Sequence, residues 1–259
     1  MFKLLHRHSQ QCLLALVCTF TVLNNSLANE HSLKIYCDED YPVQFFDKQG
    51  RLTGMSVEIV QEIQRRLGVS DPIQVVPWAR GLDKLDHEPN TMLLTMARTP
   101  ERDSRYQWVG PVVVVEYGLY GKSSSSFELQ SLDDAKRVRA IGVYRNDIRD
   151  QTLTRFGFTN LDRAASNLSS FKKLMIGRVD LVADTRLGAE NQALALGYQA
   201  SDVKLFFPLF KTYLYFGVSK SSDPYIVARW NAVLEGMKKD KTFFKIQKKY
   251  LSEPELSQQ

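Results

Sequence analysis

The sequence predicts a mixed α/β protein of two lobes with a cleft between them. Three observations carry that expectation. Short apolar runs that suit buried strands alternate with segments of helical periodicity, first between Leu33 and Val115 and again between Ile141 and Thr185. A flexible polar run, Ser123-Ser124-Ser125-Ser126, separates the two series. Two tyrosine- and glycine-bearing segments, Tyr117-Gly118-Leu119-Tyr120-Gly121 and Leu214-Tyr215-Phe216-Gly217-Val218, mirror each other. They read as antiparallel strands crossing between the lobes, with glycines that permit a hinge.

The chain has 259 residues, enough for two lobes that each hold a core. Its 44% hydrophobic and 24% charged content places it among ordinary globular proteins and not among disordered or fibrous ones. At the N-terminus, Lys3 and Arg7 precede an apolar segment, Cys12 to Leu23, and then Ser26-Leu27-Ala28. A charged start, an apolar stretch and small residues at a cleavage point describe a secretory signal peptide. The apolar stretch is short for a membrane span. The expectation is a signal peptide over 1–28, cleavage after Ala28 and a periplasmic mature chain; a retained anchor is the alternative reading. Cleavage removes Lys3 and Arg7 and lowers the net charge from +5 to +3. That charge is too mild and too dispersed for a nucleic-acid partner. Cys12 and Cys18 leave with the signal, so Cys37 remains alone and reads as a small buried hydrophobe. His31 and His87 are far apart, and no Cys/His spacing suits a metal. No metal and no cofactor are expected, and a monomer is.

Leu33 to Cys37 alternates and reads as the first strand, ended by Asp38-Glu39-Asp40-Tyr41-Pro42. Asp47-Lys48-Gln49-Gly50 is a turn. Met55 to Leu67 carries Val57, Ile59, Val60, Ile63 and Leu67 at helical spacing and stops at Gly68. Ile73 to Val76 is a second strand running into Pro77-Trp78-Ala79-Arg80. Met92 to Met96 is an apolar run short enough for a buried strand. Thr99 is placed to cap a helix turn that Pro100 opens. Together with Arg102, that loop makes an anion-binding corner, where backbone N–H groups and a guanidinium converge on one carboxylate. A buried arginine without a carboxylate costs about 3–5 kcal/mol, so a cleft arginine implies an anionic ligand or a nearby acid. The bland alternative is a basic helix start, with Arg98, Arg102 and Arg105 paired to Glu101 and Asp103 on the surface.

Val113 to Lys122 is a long strand leaving the first lobe. In the second lobe Ile141 to Tyr144 is a strand, followed by Asn146-Asp147 and a helix to about Phe156. Ser169 to Ile176 is a helix, and a strand ends near Asp184. Val203 to Leu209 and Leu214 to Val218 are further strands. Pro224 to Tyr250 is a long amphipathic helical region with a stripe of Trp230, Val233, Leu234 and Met237.

Pro100-Glu101-Arg102, followed by an aromatic and then Gly110-Pro111, resembles the T-x-T-x-x-R … F-x-F-S-x-P signature of the family 3 solute-binding proteins, the periplasmic amino-acid receptors of ABC importers. The resemblance covers most of the chain after residue 30. It implies the type II periplasmic binding protein fold, with a ligand cleft between lobes joined by two hinge strands. The implied division is 29–117 for the first part of lobe 1, 118–214 for lobe 2 and 215–259 for helices returning to lobe 1. It also implies a small polar, amino-acid-like ligand, and an importer permease or a membrane sensor as partner.

By the same resemblance, Asp38 and Tyr41 match the family's Asp and Tyr at the cleft. Tyr41 reads equally as an aromatic covering the core edge. Trp78 stands where an aromatic stacks on the ligand, against the alternative of a core tryptophan. Arg80 is a second cleft cation or a solvated helix residue. Arg102 takes the ligand carboxylate, and Thr95 and Ala97 give backbone or hydroxyl contacts. The family has Ser or Thr at the Ala97 position, so one hydrogen bond is missing. Asn146 and Asp147 replace the usual Gly-Thr pair; the Asp147 carboxylate caps its helix but repels a ligand carboxylate and suits a cation. Gly177-Arg178-Val179-Asp180 to Asp184 resembles the strand whose last Asp holds the ligand ammonium, one residue short in spacing; a capping Asp is the alternative for Asp184. Two other functions stay open. One is an enzyme on the same fold, like cyclohexadienyl dehydratase, with Glu190, Asp147 or Asp184 as acid or base. The other is a receptor domain with a degraded site.

Overall fold

A computed structural model describes residues 32–257 and 259. The expected signal peptide over 1–28 lies outside the described residues. Strand β1 (Lys34–Cys37) leads to a small antiparallel ribbon of β2 (Phe45–Phe46) and β3 (Leu52–Thr53). Then come α1 (Met55–Leu67), β4 (Ile73–Val75), α2 (Trp78–His87), β5 (Thr91–Ala97), α3 (Pro100–Asp103) and the long β6 (Tyr106–Lys122). The middle of the chain holds α4 (Leu132–Ala135), β7 (Ile141–Tyr144), α5 (Ile148–Arg155), β8 (Leu161–Ala164), α6 (Asn167–Met175), β9 (Leu181–Thr185) and α7 (Arg186–Ala195). The chain returns through β10 (Val203–Ser219), α8 (Pro224–Lys239), α9 (Thr242–Gln247) and α10 (Glu253–Leu256).

One eight-stranded sheet runs through the molecule in the order β4-β1-β5-β10-β6-β9-β7-β8. The outer strands pair in parallel, β1 with β4 and β5 on one side, and β7 with β8 and β9 on the other. The central pair, β10 and β6, is antiparallel from Val203↔Lys122 to Ser219↔Tyr106. These two 17-residue strands are shared by both ends of the sheet, and each end is an α/β layer of its own. The expected two-lobed architecture with two joining strands is therefore what the chain adopts.

Each half buries both faces of its sheet. In the middle of the chain, Leu119, Ile141, Val143, Leu181 and Ala183 pack on one face against Leu153 and Phe158. Their alternating neighbours Tyr120 and Val182 pack on the other against Phe171, Leu174 and Ala189. Successive strand residues point to opposite faces, which is why one apolar run serves two cores. Cys37 is fully buried, and burial raises its thiol to about 12, with Asp38 adding to the rise.

Several elements differ from the sequence reading: β6 starts at Tyr106, seven residues before the expected Val113, and β8 and α7 were not expected. The segments at 203–209 and 214–218 are one strand, β10, whose register shifts between Leu205 and Phe207 and between Pro208 and Phe210. Bulges of this kind accommodate a proline inside a long strand. The helical region from Pro224 is two helices, because Asp240 caps α8 and Lys241 turns left-handed at φ 65°.

Candidate functional site

The ends of the parallel strands aim side chains at one place, as open α/β sheets do. Asp38 follows β1, Thr95 and Ala97 end β5, Tyr144 ends β7 and Asp184 lies near the end of β9. Between the halves is a narrow cleft, closed down to a cavity of about 20 Å³. One wall is Asp38, Asp40, Trp78, Thr95, Ala97, Arg102 and Leu214; the other is Tyr144, Asp147, Ile148 and Arg149, with Tyr117 of β6 between them. Hydrogen bonds cross the cleft. The Trp78 backbone N–H donates to the Tyr144 hydroxyl at 3.1 Å, and its indole Nε1 donates to the Asn146 carbonyl at 3.2 Å. Asn167 Nδ2 donates to Asp40 Oδ1 at 3.2 Å, and Arg102 Nη2 donates to Gln151 Oε1 at 3.2 Å.

Arg102 is 5% exposed. Its Nη1 donates to the Ala97 carbonyl at 3.2 Å, and its guanidinium lies 5.7 Å from the Trp78 ring centroid. Among the described residues no carboxylate is ion-paired with it. Desolvation lowers its pKa, and Asp147 offsets part of that. Ala97 thus contributes through its carbonyl. Thr95 sits at φ 51°. That left-handed backbone is strained for a β-branched residue, by about 1–3 kcal/mol, and such strain gathers at functional sites. The Thr95 hydroxyl accepts from Gln44 Nε2 at 2.7 Å, and the same nitrogen reaches Asp38 Oδ1 at 3.3 Å.

Asp38 is buried, with no ion pair among the described residues. Desolvation raises its carboxyl to about 6, and backbone hydrogen bonding, Arg149 and Gln44 only partly counter this. Desolvation also pushes the neighbouring Asp40 well above the usual carboxylate range.

The opposite wall is built differently. Asp147 caps α5, accepting from the Arg149 and Asp150 N–H groups at 2.9 and 3.1 Å. Its other oxygen pairs with Arg149 Nε. Arg149 is buried; its Nη1 reaches Asp184 Oδ1 at 3.1 Å, and it lies 5.3 Å from the Tyr117 ring centroid. Desolvation opposes its charge, but Asp147 and Asp184 outweigh that and raise its pKa. Asp184 is also raised to about 6 by desolvation, although Arg149 and the Thr185 N–H pull it down.

Six of the ten residues expected at the site border the cavity: Asp38, Trp78, Thr95, Ala97, Arg102 and Asp147. Four do not. Tyr41 packs on Phe45, centroids 4.8 Å apart, and serves the core edge. Arg80 is exposed on α2. Asn146 is exposed, with its backbone left-handed at φ 63°; its carbonyl accepts from Trp78 and Gln151. Asp184 is 1% exposed and held behind Arg149, so it neutralises this guanidinium where the ligand ammonium was expected. One face of Trp78 is covered by Arg102 and is closed to a ligand cation. Glu190 pairs with Arg186 at 2.7 Å and borders neither the cleft nor an acid partner.

Arg149, Asp40, Tyr117 and Tyr144 were not found from the sequence. Arg149 left one signal. It stands in the first turn of a helix, where a cation opposes the helix dipole, so its presence calls for acids nearby. Among the described residues, no group of three or more His, Cys, Asp or Glu is placed to hold a metal.

A two-lobed α/β protein with a charged cleft at the strand ends has the architecture of the periplasmic binding proteins. The family profile of bacterial extracellular solute-binding proteins, family 3, matches residues 33–253, and the chain belongs to that family. It is 24% identical over 221 residues to a probable amino-acid ABC transporter-binding protein of Haemophilus influenzae, covering 79% of this chain and 78% of that one. Its fold is similar to a histidine kinase sensor domain with similarity to periplasmic binding proteins (TM-score 0.78, 17% identity, 85% of this chain and 96% of that one). It is also similar to a mutant of ArgBP from T. maritima (TM-score 0.77, 20% identity, 87% and 97%).

Proposed function

We propose that the protein is a periplasmic receptor for a small zwitterionic, amino-acid-like solute and hands it to an ABC importer. The observation that carries this is the pairing of charges in one cavity. Among the described residues Arg102 is a buried cation with no ion-paired carboxylate, and Asp38 and Asp40 are desolvated acids with no ion-paired cation. A ligand that brings a carboxylate to Arg102 and an ammonium to the two aspartates completes both. The amino-acid binding named for the Haemophilus relative supports the ligand class and the transport role. The lobes divide near Tyr117–Gly118 and Leu214–Tyr215, and the cross-cleft bonds represent the closed form that a ligand favours.

The protein acts by binding and not by turnover. The acids that could serve as catalysts, Asp147 and Asp184, are both committed to Arg149, and Glu190 to Arg186.

The test is a thermal-shift and calorimetric comparison of arginine, histidine, glutamine and cystine with agmatine, which lacks a carboxylate, and succinate, which lacks an ammonium. A zwitterion at 100 times its Kd stabilises the fold by about 2.7 kcal/mol. Arg102→Ala removes a charged hydrogen bond of about 1.5–3 kcal/mol and weakens binding roughly 10- to 150-fold. Agmatine or succinate binding as well as the zwitterions, or unchanged affinity in Arg102→Ala, overturns the assignment.

A further inference from the structure

A second cavity, of about 230 Å³, opens beside the joining strands β6 and β10. It reaches from β6 to the start of α7 and to α10. Its lining is mostly apolar, with Val115, Leu187 and Leu205 among the walls. That is room for a guest of one or two rings, smaller than a drug-sized ligand. Tyr117 borders both this cavity and the ligand cleft.

The chemistry of the lining narrows the occupant. The charges at its rim are already matched. Arg186 donates to Glu190 at 2.7 Å, to Glu255 at 2.6 Å and to Ser252 at 3.0 Å. Glu116 is 3.6 Å from Lys211. A charged guest would have to compete with these pairs. By contrast, Tyr120 is 7% exposed, faces Arg186 and Glu116 on this side of the strands, and has no hydrogen bond from its hydroxyl among the described residues. Apolar walls, matched charges and one hydroxyl left to bond ask for a neutral guest with a ring and a polar atom.

We propose that this cavity is a second binding site, separate from the cleft, for a small uncharged molecule with an apolar ring and one hydrogen-bonding group. Calorimetric titration of the purified protein with indole tests it. Indole binds saturably, with a Kd on the order of 1 mM or tighter. Leu187→Trp fills the cavity and abolishes saturation. Tyr120→Phe keeps the ring, removes the hydroxyl and weakens binding about three- to tenfold. Arg102→Ala, which disables the cleft, leaves indole binding as it is. Circular dichroism and the melting temperature establish that each variant folds. If Leu187→Trp does not fold, Leu205→Trp takes its place as the filling variant. Absence of saturation up to the solubility of indole overturns the proposal. So does binding that survives the filling variant and Tyr120→Phe unchanged, or that is lost in Arg102→Ala, which places indole in the cleft.

Discussion

Two buried arginines border the same cavity, and the chain treats them differently. Arg149 is enclosed by its own acids, Asp147 and Asp184, and by the Tyr117 ring. Arg102 has a carbonyl, an amide oxygen and an indole face around it, and no ion-paired carboxylate among the described residues. The walls differ in the same way. The α5 wall pairs its charges with one another, whereas on the wall that carries Asp38, Asp40 and Arg102 none of the three makes an ion pair among the described residues. A charge matched within the chain holds the fold; a charge left unmatched at a burial cost holds a place for something else. That contrast separates structural from binding groups where residue type alone cannot, since both walls are made of Asp and Arg.

The sharpest way to break the contrast is to remove each guanidinium in turn. Arg149→Met leaves two buried carboxylates without their cation and lowers stability by about 3–5 kcal/mol at pH 7. Arg102→Met removes a desolvated cation without an acid partner and costs less than about 1 kcal/mol, because the apolar chain replaces it. Urea unfolding of both variants reads the difference. Equal losses at the two positions would erase the distinction between the walls.

Asp38 sharpens it further. Its carboxyl is raised to about 6 in the fold, mainly by desolvation, against an ordinary value near 3.9 in the unfolded chain. The folded state therefore holds the proton more tightly. The stabilisation from that proton is full below about pH 4 and lost as pH rises through 6. Asp38→Asn should raise apo stability at pH 7 by on the order of 2–3 kcal/mol, and this gap should close between pH 6 and pH 4. Ligand binding runs the other way. An ammonium needs the ionised acid, so affinity should fall by up to tenfold per pH unit below 6. A gap that stays constant with pH, or affinity flat from pH 7 to 5, would remove Asp38 from the site.

Much of this was readable in the sequence, for local reasons. The bounds of α1 follow from apolar spacing and from Gly68, which ends the helix in the left-handed conformation at φ 70°. Arg102 was legible because one short motif carries it, its turn and its neighbours. Arg149 was not, because its meaning depends on Asp184, 35 residues away and brought close only by the pairing of β7 with β9. The pairing of Asp184 with Arg149 was hidden for the same reason: its neighbour in space is absent from its neighbourhood in sequence. The unity of β10 was hidden by Pro208 and by the polar pair Lys211-Thr212, which break the apolar pattern, while β6 alongside supplies the pairing.

The weakest difference is expected outside the cavity. Glu101 and Arg155 also join the two halves, at 2.9 Å, yet their side chains are 61% and 52% exposed. Water screens such a pair in both the open and the closed form, and holding two long side chains in place costs entropy. Glu101→Gln should therefore change ligand affinity by less than about twofold, and raising the salt concentration should change it as little. The cross-cleft bond from Arg102 to Gln151 is of similar length but lies at the buried cation. Calorimetry on Glu101→Gln thus asks whether closure is set by the number of bridging contacts or by the charges sealed inside. A loss of tenfold or more in that variant would favour the first and undo the ranking drawn from burial.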